Sequence, residues 1–91
     1  MVFDWDEKKN KWLKKIRGVG FENVVIAINE GKVLGTIQHP GAKKYKHQKV
    51  HILNIKNYIY FVPFIDEKQR QFFKTIIPSR KLTKKYLGGK K

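Results

Sequence analysis

The hydrophobic pattern divides this chain into a helical first third and a β-rich remainder. Phe21, Val24, Val25 and Ile28 stand at i, i+3, i+4 and i+7, the stripe of an amphipathic helix. That helix covers FENVVIAINEG, with Gly31 placed as the residue that ends it. Ahead of it, FDWDEKKNKWLKKIRG reads as a short strand or extended start followed by another helix. Asp6 is placed to cap that helix, and Glu7 suits the positive end of its dipole. Trp5, Trp12 and Ile16 are expected to share a buried face. Lys8, Lys11 and Lys15, at i, i+3 and i+7, are expected to line another, and Gly18 stops the helix.

After Gly31 the apolar runs are short and strand-like. KVLGTIQ reads as a strand whose glycine marks a bulge. HPGAKKYKHQK is a basic, turn-rich loop. VHILNI and YIYFVPFI are strands joined by Lys56-Asn57, a spacing that suits a two-residue hairpin. Pro63 cannot donate to a ladder, so its strand must be a local edge or bulge there. DEKQRQ makes the next turn and FFKTII reads as the last strand. Ser79 is a candidate cap for a closing helix, with Leu82 and Tyr86 facing inward and Gly88-Gly89 ending it. The order is (β)ααββββα, an α+β domain: two helices, a four-stranded antiparallel meander and a short C-terminal helix. At 91 residues this is one domain with one modest core, residues 88–91 forming a flexible tail.

Charge changes the picture. The chain carries 21 Lys and Arg against 7 Asp and Glu, a formal net of +14. Residues 1–30 hold six basic and five acidic side chains, whereas residues 31–91 hold fifteen basic and two acidic. Such asymmetry points to a polyanion: RNA, DNA, an acidic protein or an anionic membrane. Lysine enrichment for solubility or heat stability is the plainer alternative. With 41% hydrophobic residues the chain is too apolar for a disordered basic tail. No cysteine is present, which excludes thiolate metal sites and fits a reducing cytoplasm. No apolar run is long enough to cross a bilayer, and no membrane partner is expected.

Candidate chemistry is sparse. HExxH, CxxC, P-loop and GxGxxG patterns are all absent. A zinc site built from His39, His47 and His51 is opposed by the lysines that flank them, so no cofactor or metal is expected. His47, in KKYKHQK, lies among cations that would keep its ring neutral and able to accept a proton. His51, inside a strand, reads as structural. The end of the chain, IIPSRKLTKKYLGGKK, turns from apolar to cationic at a proline. Arg80, one of three arginines, is delivered where a strand ends and a helix begins. Its rigid fork suits phosphate, unless it pairs with Glu22 or Asp66. Lys81 stands beside it. Lys44, Lys46 and Lys49 would hold an RNA backbone, Lys15 and Arg17 would close the groove, and Lys84 and Lys85 extend it. Tyr45, Tyr58 and Tyr60 could stack on bases.

FDWDEKKNKWLKKIRGVGFENVV together with IIPSRKLTKKY resembles the BrnT family of bacterial toxins. Phe3, Trp5, Asp6, Gly18, Val19, Phe21, Glu22, Arg80, Lys81 and Thr83 carry the resemblance. Arg17 stands where that family commonly has a histidine. The resemblance implies a RelE/ParE-like fold and a metal-independent ribonuclease, in which a ribose 2′-hydroxyl attacks the adjacent phosphate. Arg80 would stabilise the charge, with His47 as acid or base and Lys81 beside them. It also implies a cognate antitoxin, acidic or carrying a DNA-binding domain, that silences the toxin, in a heterotetramer on DNA. A gyrase poison is a variant of the same reading. Two other classes fit the composition: an RNA- or DNA-binding module without catalysis, and a basic subunit that docks an acidic partner.

Overall fold

A computed structural model describes residues 1–41, 43, 44 and 47–88. The chain is α+β, with β1 (Val2–Trp5), α1 (Glu7–Arg17), α2 (Phe21–Asn29), β2 (Val33–Gln38), β3 (Gln48–Ile55), β4 (Tyr58–Glu67), β5 (Arg70–Phe73), β6 (Ile77–Pro78) and α3 (Arg80–Tyr86). The sheet runs β1-β5-β4-β3-β2, with the two-residue β6 also paired to β4. It is mixed rather than antiparallel throughout, because β1 pairs parallel to β5. The expected four-stranded antiparallel meander is therefore corrected to a six-stranded mixed sheet.

Local chemistry sets the helix ends. The Asp6 carboxylate accepts from the Lys8 N–H, and Gly18 closes α1 in the left-handed region at φ 72°. Leu13 and Asn10 are the wholly buried residues of α1, whereas Trp12 and Ile16 are exposed. The helix is thus rotated away from the face expected for it. In α2, Phe21, Val24 and Ala27 are buried, and Val25 and Ile28 pack at the margin of the core.

The core lies between the helices and one face of the sheet. It joins Leu13, Val19, Phe21, Val24 and Ala27 to Leu53, Ile55, Tyr60, Val62, Phe64, Phe73 and Ile76. Aromatic rings tie β1 into it: Phe3 stacks on Phe73 at 5.4 Å and Trp5 on Phe21 at 5.6 Å between centroids. This packing, with the Arg70–Asp4 ion pair, holds the first strand against β5.

The expected hairpin is present. Lys56 and Asn57 both take positive φ, 53° and 65°, as a two-residue primed turn requires. Leu34 is the extra residue of a bulge between Val33 and Gly35. Pro63 sits inside β4, but its carbonyl accepts from Lys74 N–H on the side away from β3. Its missing donor therefore falls in the gap between the stretches that pair with β5 and β6, a local edge. The turn expected over DEKQRQ shrinks to Lys68-Gln69, and the FFKTII strand breaks after Phe73 and resumes only at Ile77. At the break Ile76 turns into the core, wholly buried.

Candidate nucleic-acid interface

Arg80 stands on a rigid seat. Ser79 N–H donates to the Ile59 carbonyl at 2.8 Å, and the Ile59 N–H donates to the Thr83 hydroxyl at 2.9 Å. The same hydroxyl donates to the Ser79 carbonyl, and the Ser79 hydroxyl accepts from Leu82 N–H. Two hydrogen bonds thus pin the first turn of α3 to the central strand β4, and two more brace the turn itself. Ser79 is buried, while Arg80 and Lys81 are exposed. Among the described residues, neither side chain makes a hydrogen bond or ion pair. Glu22 and Asp66, the acids that could have neutralised Arg80, are engaged by Lys14 and Lys49. Farther along α3, Lys84 and Lys85 are exposed, Leu82 is half-buried, and Tyr86 faces solvent rather than the core.

His47 lies at the other end of the sheet. It precedes Gln48, which pairs with Ile65, whereas Ser79 is anchored to Ile59. Six residues of continuous strand separate the two levels, roughly 20 Å at the rise of a β-strand. The fold does not bring His47 and Arg80 together on one phosphate. Lys44 occupies the turn before His47, its N–H bonded to the Gly41 carbonyl. Tyr45 and Lys46 lie outside the described residues, as does Gly89.

Other candidates have structural employment. The Arg17 guanidinium donates to the Ile76 carbonyl at 2.6 Å, which satisfies backbone at the break after β5. Lys49 pairs with Asp66 across β3 and β4 at 3.7 Å. Tyr60 is buried, and Tyr58, half-buried, packs against the core, their rings 5.5 Å apart. Burial pushes the Tyr60 phenol up, neighbouring Tyr58 acts in the same direction, and Arg17 opposes them. Lys15 is exposed on α1.

His51 is structural, in a way its sequence neighbours did not reveal. Its ring stacks on Phe64 at 4.0 Å between β3 and β4. The Gln71 oxygen lies 2.9 Å from Nε2, which must donate to it. Nδ1 then accepts from the Thr36 hydroxyl, also at 2.9 Å. This relay crosses from β2 to β5. Burial is the main influence holding the His51 pKa below its ordinary value, with Gln71 and then Asp66 opposing. Among the described residues, no three His, Asp or Glu side chains are grouped to hold a metal ion. An apolar cleft of about 120 Å³ opens on the opposite sheet face, lined by His39, Pro40, Val50, Phe61, Pro63 and Ile77.

The residues that carry the BrnT resemblance divide by role. Phe3, Trp5, Val19 and Phe21 build the core, Asp6 and Gly18 cap α1, and Thr83 pins α3. Glu22 closes on Asn10 and Lys14. Arg80 and Lys81 remain as the exposed, unpaired cations of that set. Comparison with protein-family models, curated protein sequences and solved structures finds no match. Among the described residues no helix is long and apolar enough to cross a membrane.

Proposed function

We propose that this protein binds RNA and cleaves it as the toxin of a toxin–antitoxin pair with a RelE-like fold. The observation that carries the reading is the seat of Arg80, an unpaired guanidinium whose backbone is fastened to the central strand by the Ser79–Thr83–Ile59 bonds. A preorganised bidentate donor is what a developing phosphorane charge requires. Lys81, Lys84 and Lys85 surround it with positive charge, and the chain's net of +14 favours a polyanion. Cleavage would proceed by attack of the ribose 2′-hydroxyl oxygen on the adjacent phosphorus, breaking the P–O5′ bond to leave a 2′,3′-cyclic phosphate and a 5′-hydroxyl. The 2′-hydroxyl proton would be lost to water and the 5′-oxygen would take one from water, with Arg80 and Lys81 at the reacting group. His47, at the far end of the sheet, would contact a more distant part of the same strand rather than act as acid or base there. A cytoplasmic antitoxin with an acidic segment, in a heterotetramer, would cover this cationic surface.

The separation of His47 from Arg80 favours a second reading, RNA binding without turnover. One experiment distinguishes the two. An end-labelled single-stranded RNA is titrated by filter binding across a range of salt, then incubated with the protein in the presence of a chelator. Both readings expect affinity to fall with salt at a log–log slope of a few units. Products ending in a 2′,3′-cyclic phosphate support cleavage. Binding that leaves the RNA intact supports the second reading, and a slope near zero sinks both.

A further inference from the structure

The outward face of α1 has a composition that packing does not explain. Asn10 and Leu13 are wholly buried and Arg17 is tied to the Ile76 carbonyl, which together define the inward direction. At about 100° per residue, the opposite half of the helix carries Lys11, Lys15, Lys8, Trp12 and Ile16 in angular order, with Glu7 and Lys9 at its two edges. Trp12 is 46% exposed and Ile16 58%. Glu7 is the one carboxylate of the helix. From the edge of this face it accepts from the Trp5 indole N–H.

A large indole left in water forgoes the burial that usually employs it. Here two cations lie near it. The Lys9 ammonium stands 5.0 Å from the ring centroid, and the Arg17 guanidinium carbon stands 5.8 Å from it. The helix beneath is held at both ends by Asp6 and Gly18, so the platform is fixed before any ligand arrives. Two apolar side chains make too narrow a face to enter a bilayer, which takes a broad apolar stripe. An acidic protein would bury the ring in a continuous apolar contact, whereas this face offers only Trp12 and Ile16 as large apolar groups among its lysines. A nucleic acid uses both: phosphates meet the lysines and a base meets the indole. The bases of a duplex are already stacked on one another, so the ligand is single-stranded.

We propose that the outward face of α1 is a single-stranded RNA site, with one base stacked on Trp12 and the flanking phosphates held by Lys8, Lys9, Lys11 and Lys15. The proposal rests on the RNA reading given above and adds where the strand lies and in what state it is taken.

The test follows Trp12 fluorescence and RNA binding separately. An unstructured 12-nucleotide RNA and a blunt hairpin RNA, each dye-labelled, are titrated by anisotropy into the natural chain, Trp12→Ala and Trp12→Phe. Tryptophan emission is read on the natural chain and on Trp5→Phe, in which Trp12 is the sole tryptophan. The expected result is saturable quenching by the single strand, weaker binding of the hairpin, and affinity about tenfold lower in Trp12→Ala. Trp12→Phe should recover most of it. Tight binding with no quenching and no loss in Trp12→Ala overturns the proposal and leaves RNA binding standing. No binding by any variant overturns both. Quenching by anionic phospholipid vesicles but not by RNA makes the face a membrane contact and overturns the proposal.

Discussion

The side-chain oxygen of Asn10, on α1, accepts the backbone N–H of Phe21, the first residue of α2, at 2.7 Å. One helix thus caps the next. The Asn10 amide donates to both oxygens of Glu22, which also meets Lys14 at 3.1 Å. Asn10 is the main influence holding the Glu22 carboxyl below its usual value, with burial opposing. Gly20 completes the joint: a Cβ there would stand 2.8 Å from the Asn10 oxygen and 2.6 Å from Lys14 Cε. Its N–H donates to the Asn23 side chain.

Asn10→Ala is expected to cost about 1–3 kcal/mol, since it orphans a buried N–H and removes a cap. Asn10→Asp should be worse, because it sets a second carboxylate against Glu22. Urea unfolding of the three chains checks this. Equal midpoints would mean that the joint carries no stability.

Thr83→Val conserves shape but deletes the hydroxyl that serves both Ile59 and Ser79. It is expected to cost about 1–3 kcal/mol and to loosen α3. If Arg80 acts on RNA through its fixed position, the same change also weakens RNA cleavage. Thermal melting and cleavage measured on one preparation test both effects. Valine at full stability would show that the seat is held by packing instead.

Arg80→Ala is expected to leave the melting temperature nearly unchanged, because the side chain is exposed and unpaired. Cleavage should fall on the order of 100-fold, with Arg80→Lys also poor since a point charge cannot replace the fork. Lys90→Ala should be silent. A large drop in melting temperature would recast Arg80 as structural.

His51 gives stability a dependence on pH. Its folded pKa lies below the ordinary 6.5 of an unfolded histidine. Above that value both states are neutral and His51 contributes no slope. As pH falls through about 6.5, the unfolded chain takes a proton that the folded state refuses, so stability declines. The decline from this source stops once pH passes below the folded pKa. His51→Gln should therefore flatten urea midpoints between neutral and mildly acid pH. A slope identical to that of the natural chain would assign it to other groups.

What could be read from the sequence was local. Asp6, Gly18, Gly31 and Ser79 mark helix ends through hydrogen bonds and φ values confined to a few residues, and each does so here. Lys56-Asn57 makes the hairpin for the same reason, and Pro63 announces a gap in the ladder because it has no N–H to offer. The α+β class follows from the change of hydrophobic spacing. What only the tertiary structure decided was non-local. α1 could have turned Trp12 and Ile16 inward by periodicity alone. It turns Asn10 and Leu13 inward instead, because the start of α2 supplies Asn10 with partners that no stretch of α1 contains. β1 joins β5 in parallel, with Val2 opposite Arg70, through stacked rings from distant parts of the chain. The same long-range pairing parts His47 from Arg80, since each rides at a different level of β4. Charge composition counts the cations, but only the register of the strands decides which of them stand together.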